Sequence, residues 1–303
     1  MSAHSGPVLV TDPDDPSLDD FRDLKRADRR PDRPGGRGLV LAEGTVVVRR
    51  LLASAYPVRA LIGVQRRYDE LAADLADVDV PFFVVTPELM AEVVGFHLNR
   101  GVIAAADRIA FPPAAELLAR SRTVAVLEGV GDHENLGALF RSAAALGVGA
   151  VLLAADCADP LYRRSVRVSM GTVLGVPFAP LPGWVDGGVE LLHDHGFRIV
   201  AMTPRADAVP MRRADLGGRI AVLVGSEGPG LSAAALAAAD VPVRIPMAPG
   251  VDSLNVATAA AIAFAALDTG LDDTGVDGPG SPVGPDGAGA SPGGGGRPGT
   301  LTP

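Results

Sequence analysis

Two rhythms of apolar and polar positions alternate along this chain from Gly38 onward. One is short unbroken runs of Val, Ile, Leu and Ala; the other is apolar residues recurring every three or four positions. The first is the signature of buried strands, the second of helices laying one face on them. In order, the pattern predicts a helix over 43–54, with Val46, Val47, Leu51 and Leu52 on one side, then a strand over 58–64 and a helix over 68–75. A strand over 81–85, a helix over 87–94 and a closing strand over 101–105 complete a front unit of about 70 residues, a size at which small domains fold. After Pro112 and Pro113 the rhythm resumes, with strands at 122–128, 150–154, 173–178, 198–202, 220–224 and 241–245. Helices fall between and after them, at 136–146, 161–170, 185–195, 232–239 and 254–267. Strands alternating with helices imply an α/β fold whose sheet is mostly parallel and covered on both faces.

The domain plan that follows is a polar arm over 1–37, a small α/β domain over 38–107, a linker over 108–121 and a larger α/β domain over 122–270. Residues 271–303 are almost all Gly, Pro, Ser, Asp and Thr, too poor in apolar surface to offset the entropy of ordering, and read as a disordered tail.

Composition narrows the setting. The single cysteine, Cys157, excludes an internal disulfide and suits a reducing, cytoplasmic environment. No apolar run approaches the roughly 18 residues of a membrane span, and the first residues lack the apolar stretch of a secretory signal. The net charge of −9 argues against nucleic acid as a partner, but the charge is unevenly spread. Arginines gather at Arg22, Arg26, Arg29, Arg30, Arg33 and Arg37 beside Lys25, the only lysine, and again at Arg163, Arg164 and Arg167. Asp23, Asp28 and Asp32 interrupt the first group, which reads as a self-neutralising face.

Three segments carry candidate chemistry. The first opens with Asn135, a good helix cap, followed by an apolar stripe of Leu136, Leu139, Phe140 and Ala143. At 100° per residue Arg141 lies about 140° from Leu136 and projects away from that stripe. The second, Gly225-Ser226-Glu227-Gly228-Pro229-Gly230, follows a strand directly, and such a loop lets a ligand approach the backbone. It has neither the lysine of a phosphate loop nor the spacing of a dinucleotide fingerprint. The third runs from Ile245-Pro246-Met247 to Ser253-Leu254-Asn255-Val256-Ala257, where Ser253 could cap the last helix. His193 and His195 lack further ligands at metal-binding spacing, so no metal is implied. His133, between Asp132 and Glu134, is a weaker candidate for touching substrate.

Taken together and in this order, the three segments resemble the motifs of the SpoU/TrmH family of RNA ribose methyltransferases, within the SPOUT superfamily. The likeness extends over about 38–267 and includes the string Arg167-Val168-Ser169-Met170-Gly171-Thr172. The resemblance implies a SPOUT-type parallel sheet with a deep trefoil knot, preceded by a small α/β domain that binds substrate. It implies S-adenosyl-L-methionine as methyl donor, contacted by Leu223, Gly225, Ile245, Met247 and Leu254. It implies a ribose 2′-hydroxyl of rRNA or tRNA as acceptor, with Asn135, Arg141, Glu227, Ser253 and Asn255 at the reacting centre. It also implies a homodimer in which Arg141 of one subunit completes the site of the other, and Glu227 is placed to hold Arg141 by an ion pair. An arginine is a poor proton acceptor, so orienting the hydroxyl and neutralising a phosphate is the physically sounder role. Asp252 departs from the family pattern, where Glu or Ser is frequent.

Three other readings compete. A non-catalytic RNA-binding protein with the same fold would not need Arg141, Glu227, Ser253 and Asn255 together. A nucleotide-dependent enzyme of Rossmann type would need a longer glycine fingerprint than Gly129-Val130-Gly131-Asp132. Transfer to a base nitrogen is the third, and the serine–asparagine string favours ribose over it.

Overall fold

The computed structural model describes residues 6–24, 38–154, 156–267 and 269; the expected tail and the whole basic stretch 25–37 lie outside these. The described residues form one compact unit. Its front part is a five-stranded sheet. Strands β1 (Val8–Leu9), β2 (Leu39–Glu43), β3 (Val58–Gly63), β4 (Phe82–Val84) and β5 (Val102–Asp107) stand in the order β1-β4-β3-β5-β2. The pairs β1/β4 and β4/β3 are parallel; β5 runs antiparallel to both of its neighbours. Helices α1 (Thr45–Leu52), α2 (Gln65–Leu75) and α3 (Pro87–Val94) connect them.

The rear part is a seven-stranded sheet, parallel throughout. Its strands are β6 (Thr123–Leu127), β7 (Ala150–Leu153), β8 (Phe178–Pro180), β9 (Arg198–Met202), β10 (Val209–Pro210), β11 (Ile220–Val224) and β12 (Val241–Arg244), ordered β10-β12-β9-β11-β6-β7-β8. Helices α4 (Ala114–Arg120), α5 (His133–Ala145), α6 (Arg163–Val168), α7 (Asp186–Asp194), α8 (Ala233–Ala238) and α9 (Val256–Ala265) cover it. The alternation of strand and helix in the sequence thus gives the parallel α/β architecture it predicts. One apolar core runs from Val40, Val47 and Leu51 of the front to Leu136, Phe140 and Phe264 of the rear.

Several local expectations are corrected. Glu43 does not start a helix: Leu39–Glu43 is a strand paired with β5, and Gly44, at φ +89°, turns the chain into α1. Val46 is therefore 45 % exposed, and Val48 takes the buried place. The strand expected over 173–178 is a short 3-10 turn, Thr172–Leu174, followed by β8. Ser169 explains the change, since its hydroxyl accepts from Gly171 N and its carbonyl accepts from the Thr172 hydroxyl, which curls the chain. Within the expected linker, 114–120 is helical and buries Leu117 and Leu118. Within the expected arm, β1 adds to the front sheet, and a 3-10 turn, Pro16–Phe21, buries Leu18 and Phe21.

Polar contacts fasten front to rear. Arg108 pairs with Asp159 through both guanidinium ends at 3.1 and 2.5 Å, with both side chains largely buried. Arg163 reaches buried Glu43 at 3.3 Å and lies over the Phe96 ring. Arg50 donates to the Met170 carbonyl at 2.6 Å. Gly137 lets α5 meet α6 closely: a Cβ there would stand 2.8 Å from the Ser165 carbonyl oxygen.

Candidate functional site

The rear sheet has a point where its winding reverses. From β6 the chain steps outward to β7 and β8, whereas β11, the other neighbour of β6, leads to β9 and β12. In open parallel sheets the crevice outside the carboxyl ends of the strands at such a point is where ligands bind. Here it is bordered by residues 128–132, after β6, and residues 225–231, after β11.

The second loop folds back on itself at Gly225. A Cβ at Gly225 would fall 2.3 Å from the Gly230 carbonyl carbon and the Leu231 amide nitrogen, so only glycine fits. The Ser226 hydroxyl donates to the Gly230 carbonyl at 3.1 Å, and Gly230 N donates to the Ser226 carbonyl at 3.2 Å. Across the crevice Glu128 ties the two borders together. Its carboxylate accepts from Trp184 Nε1 at 2.8 Å, Ser232 N at 2.8 Å and the Ser232 hydroxyl at 2.9 Å. Ser232 also caps α8. Glu128 carries one signal in the sequence, an acid in the first position after a buried strand.

Three of the predicted polar residues meet in a string. Asn255 Nδ2 donates to Asn135 Oδ1 at 2.8 Å, and Asn135 Nδ2 donates to Glu227 Oε1 at 2.6 Å. The expected caps are shifted, however. Asp132, not Asn135, caps α5, accepting from Glu134 N and Asn135 N at 2.9 Å each. Asn255, not Ser253, caps α9, accepting from Ala257 N at 2.9 Å and Thr258 N at 3.2 Å. These shifts release the Asn135 side chain from backbone duty and hold Asn255 facing it.

The other predicted residues are placed differently. Arg141 is exposed on α5 and has no hydrogen bond or ion pair among the described residues, so the expected Glu227–Arg141 ion pair does not form within the chain. It lies six residues beyond Asn135, about 120° around the helix and roughly 9 Å along it. Ser253 and Leu254 are exposed in the loop before α9; Ile245 and Met247 are half-buried on its near side. Leu223 is fully buried in the core on the α4 side of the sheet, so its side chain has no access to the crevice. His133 packs its ring against Tyr162, with centroids 4.3 Å apart. Burial pushes the Cys157 thiol upward from its ordinary pKa, and its Sγ donates to the Leu127 carbonyl, which suits an inert packing role. No group of His, Cys, Asp and Glu able to hold a metal occurs among the described residues, and no described helix is long and apolar enough to cross a membrane.

Comparison with known proteins places this geometry. Residues 122–265 match the model of the SpoU rRNA Methylase family. An uncharacterized tRNA/rRNA methyltransferase of Mycobacterium tuberculosis is 57 % identical over 258 residues, covering 84 % of this chain and 89 % of that protein. The 23S rRNA (guanosine(2553)-2′-O)-methyltransferase of Bacillus subtilis is 34 % identical over 149 residues, covering 48 % of this chain and 58 % of that protein. The crystal structure of an AdoMet-bound rRNA methyltransferase from Sinorhizobium meliloti has a TM-score of 0.71 at 24 % identity, covering 85 % of this chain and 96 % of that one, a likeness of fold.

Proposed function

The chain belongs to the SpoU rRNA Methylase family of RNA methyltransferases, and from that premise we propose that it methylates a ribose 2′-hydroxyl of rRNA or tRNA, with S-adenosyl-L-methionine as donor and as a homodimer. The observation that carries the reading is the string Asn255–Asn135–Glu227, which joins all three sequence segments at the switch crevice. The 2′-oxygen as acceptor is supported by the activity named for the Bacillus subtilis relative.

The crevice suits the donor. At one border Gly230 leaves main chain open, with nothing within 4 Å of where a Cβ would stand, and Leu254 and Val251 expose apolar surface on the 245–255 loop. Residues of these two loops would hold the donor, Gly225, Ile245, Met247 and Leu254 among them, whereas Leu223 would contribute through the strand backbone alone. When bound, S-adenosyl-L-methionine supplies a methyl group activated by its sulfonium charge. The chain supplies position and charge. Asn135, itself held by Asn255, fixes Glu227 at the crevice, and Glu227 would be the carboxylate to take the proton of the 2′-hydroxyl as its oxygen gains the methyl group and the sulfonium C–S bond breaks to leave a neutral thioether. Ser253 offers a hydroxyl to the neighbouring phosphate. Arg141, turned away from its own crevice, serves the site of the partner subunit, where it orients the ribose and neutralises phosphate charge.

The test is Arg141→Ala. Methyl incorporation into RNA should fall at least a hundredfold, while calorimetric binding of S-adenosyl-L-methionine and the Tm stay unchanged. Co-expression with Asn255→Ala should restore activity to about a quarter of wild type, since half of randomly paired dimers then carry one intact site. A folded protein that does not bind the donor would instead be a scaffold without catalysis, and loss of folding in Arg141→Ala would refute the role given to that residue.

A further inference from the structure

One cleft belongs to neither border of the crevice. It has a volume of about 430 Å³ and lies where the end of α1 meets α5 and the 171–177 turn, lined by Arg50, Ser54, Ala144, Val148, Thr172 and Pro177, among others. That volume is at the small end of ligand sites, suited to a single compact group. Its lining contains one arginine and no carboxylate, in a chain of net charge −9. Arg50 is exposed, with Nη1 anchored on the Met170 carbonyl and its stem pressed against Gly171, where a Cβ would meet Arg50 Cδ at 3.3 Å. The guanidinium is therefore held at the cleft by its own packing.

Two neighbours give the cleft a direction. Ala144 is one helical turn beyond Arg141, and residues three apart share a helix face. Phe111 stands 43 % exposed, its ring 5.3 Å from that of Phe178, which directly follows Pro177 of the lining. An exposed aromatic ring, an arginine plane and an apolar floor are what an unstacked base uses when a protein binds single-stranded RNA.

We infer that this cleft seats an unstacked nucleotide of the substrate RNA, flanking the one whose ribose meets Arg141, and so contributes to choice of target. The inference rests on the reading of the protein as an RNA ribose methyltransferase. It was not legible from the sequence, where Arg50 and Phe111 are 61 positions apart.

The test uses the full-length protein with ribosomal and transfer RNA from cells lacking the gene. Three variants probe the cleft: Ala144→Phe fills it, Arg50→Ala removes the guanidinium, and Phe111→Leu keeps the apolar cover on Phe178 but removes the flat ring. Each should raise the KM for RNA about tenfold, the scale of one lost base stack, with kcat, donor affinity and Tm little changed. Arg50→Lys should recover only part of the loss, because an ammonium does not stack. Ultraviolet crosslinking should place nucleotide adducts on the segment around Phe111 or Arg50. Wild-type methylation with an unchanged RNA KM in all three variants overturns the inference and leaves the enzymatic reading intact. A wild-type protein that neither binds the donor nor methylates RNA defeats both. Conversion of a dimer to a monomer by Ala144→Phe, seen by light scattering, assigns the cleft to contact between copies and also overturns the inference.

Discussion

Replacing Gly225 with alanine puts the turn at the switch crevice under direct strain. Built on the backbone, the new Cβ stands 2.3 Å from the Gly230 carbonyl carbon and Leu231 nitrogen and 2.6 Å from the Gly230 oxygen. Comfortable contact begins at about 3.5 Å, so the shortfall is roughly 1.2 Å. All three opposing atoms are main chain, and no rotamer can relieve them. The turn must open, stretching the two bonds between Ser226 and Gly230. Overpacking of this kind costs about 1–3 kcal/mol, and each weakened hydrogen bond adds up to about 1 kcal/mol. A total near 3 kcal/mol lowers the Tm by about 6–12 °C in a chain of this size.

The same shift displaces the border that would hold the donor. Misplacement by about 1 Å can cost a hundredfold in reactivity, so methyl transfer should fall further than folding does. Differential scanning calorimetry and titration with S-adenosyl-L-methionine below both Tm values measure the two effects. Gly228→Ala is the control: its φ of +96° is strained for alanine, but nothing stands within 4 Å of the added carbon. That control should cost about 1–2 kcal/mol through the backbone alone and leave donor affinity near wild type. A Gly225→Ala protein with an unchanged Tm and unchanged donor affinity would refute the description of the crossing.

Two other perturbations read the same framework. Glu128→Gln turns one of the two accepting oxygens into an amide nitrogen that cannot accept, so at least one of the three donors from Trp184 and Ser232 loses its partner; the loss should be about 1.5–3 kcal/mol in denaturant unfolding. Trp184 is the only tryptophan, so its emission should shift in the folded variant, and an unchanged spectrum would exclude the contact. Tyr56 is buried, and burial pushes its hydroxyl up to about 12. Because the folded value lies above the unfolded one, the stability it confers is complete below about pH 10 and is lost as the pH rises towards 12, some 3 kcal/mol in all. Absorbance titration of the three tyrosines should show one late step that Tyr56→Phe removes; a titration without that step would contradict the burial.

What the sequence disclosed and what it hid divide along range. Strand β11 is an unbroken apolar run, and its burial follows from composition alone; the last helix, apolar but for Thr258, buries only the face of Ala257, Ala260, Ala263 and Phe264. Caps are a finer matter. Asp132, Asn135, Ser253 and Asn255 are all competent cap residues, and the choice among them depends on which side chain the opposite loop engages. Asn135 is drawn to Glu227 and Asn255, so Asp132 takes the cap; no pattern within one helix contains that information. The turn at 169–175 went the same way: Val173 and Val176 read as a strand, yet the hydroxyls of Ser169 and Thr172 bend the chain before a ladder can form. Glu128 was invisible because its partners are 56 and 104 positions away.

The placement of Arg141 bears on the charge at the crevice. The string at the crevice is assembled from two amides and one carboxylate, and both amides are oriented by fixed partners. Such a set directs hydrogen bonds, but it brings no positive charge. The amino ends of α5 and α9 converge there, capped by Asp132 and by Asn255, which bonds in turn to Asn135 in the first turn of α5. Helix amino termini favour an anion by about 0.3–1 kcal/mol each, which is too little to gather a polyanion against a chain of net charge −9. A full cation is needed, and Arg141 is held 120° away around its helix. In the proposed homodimer a ribose–phosphate would meet the orienting amides of one copy and this arginine of the other. That separation agrees with the proposal that a second subunit supplies the cation.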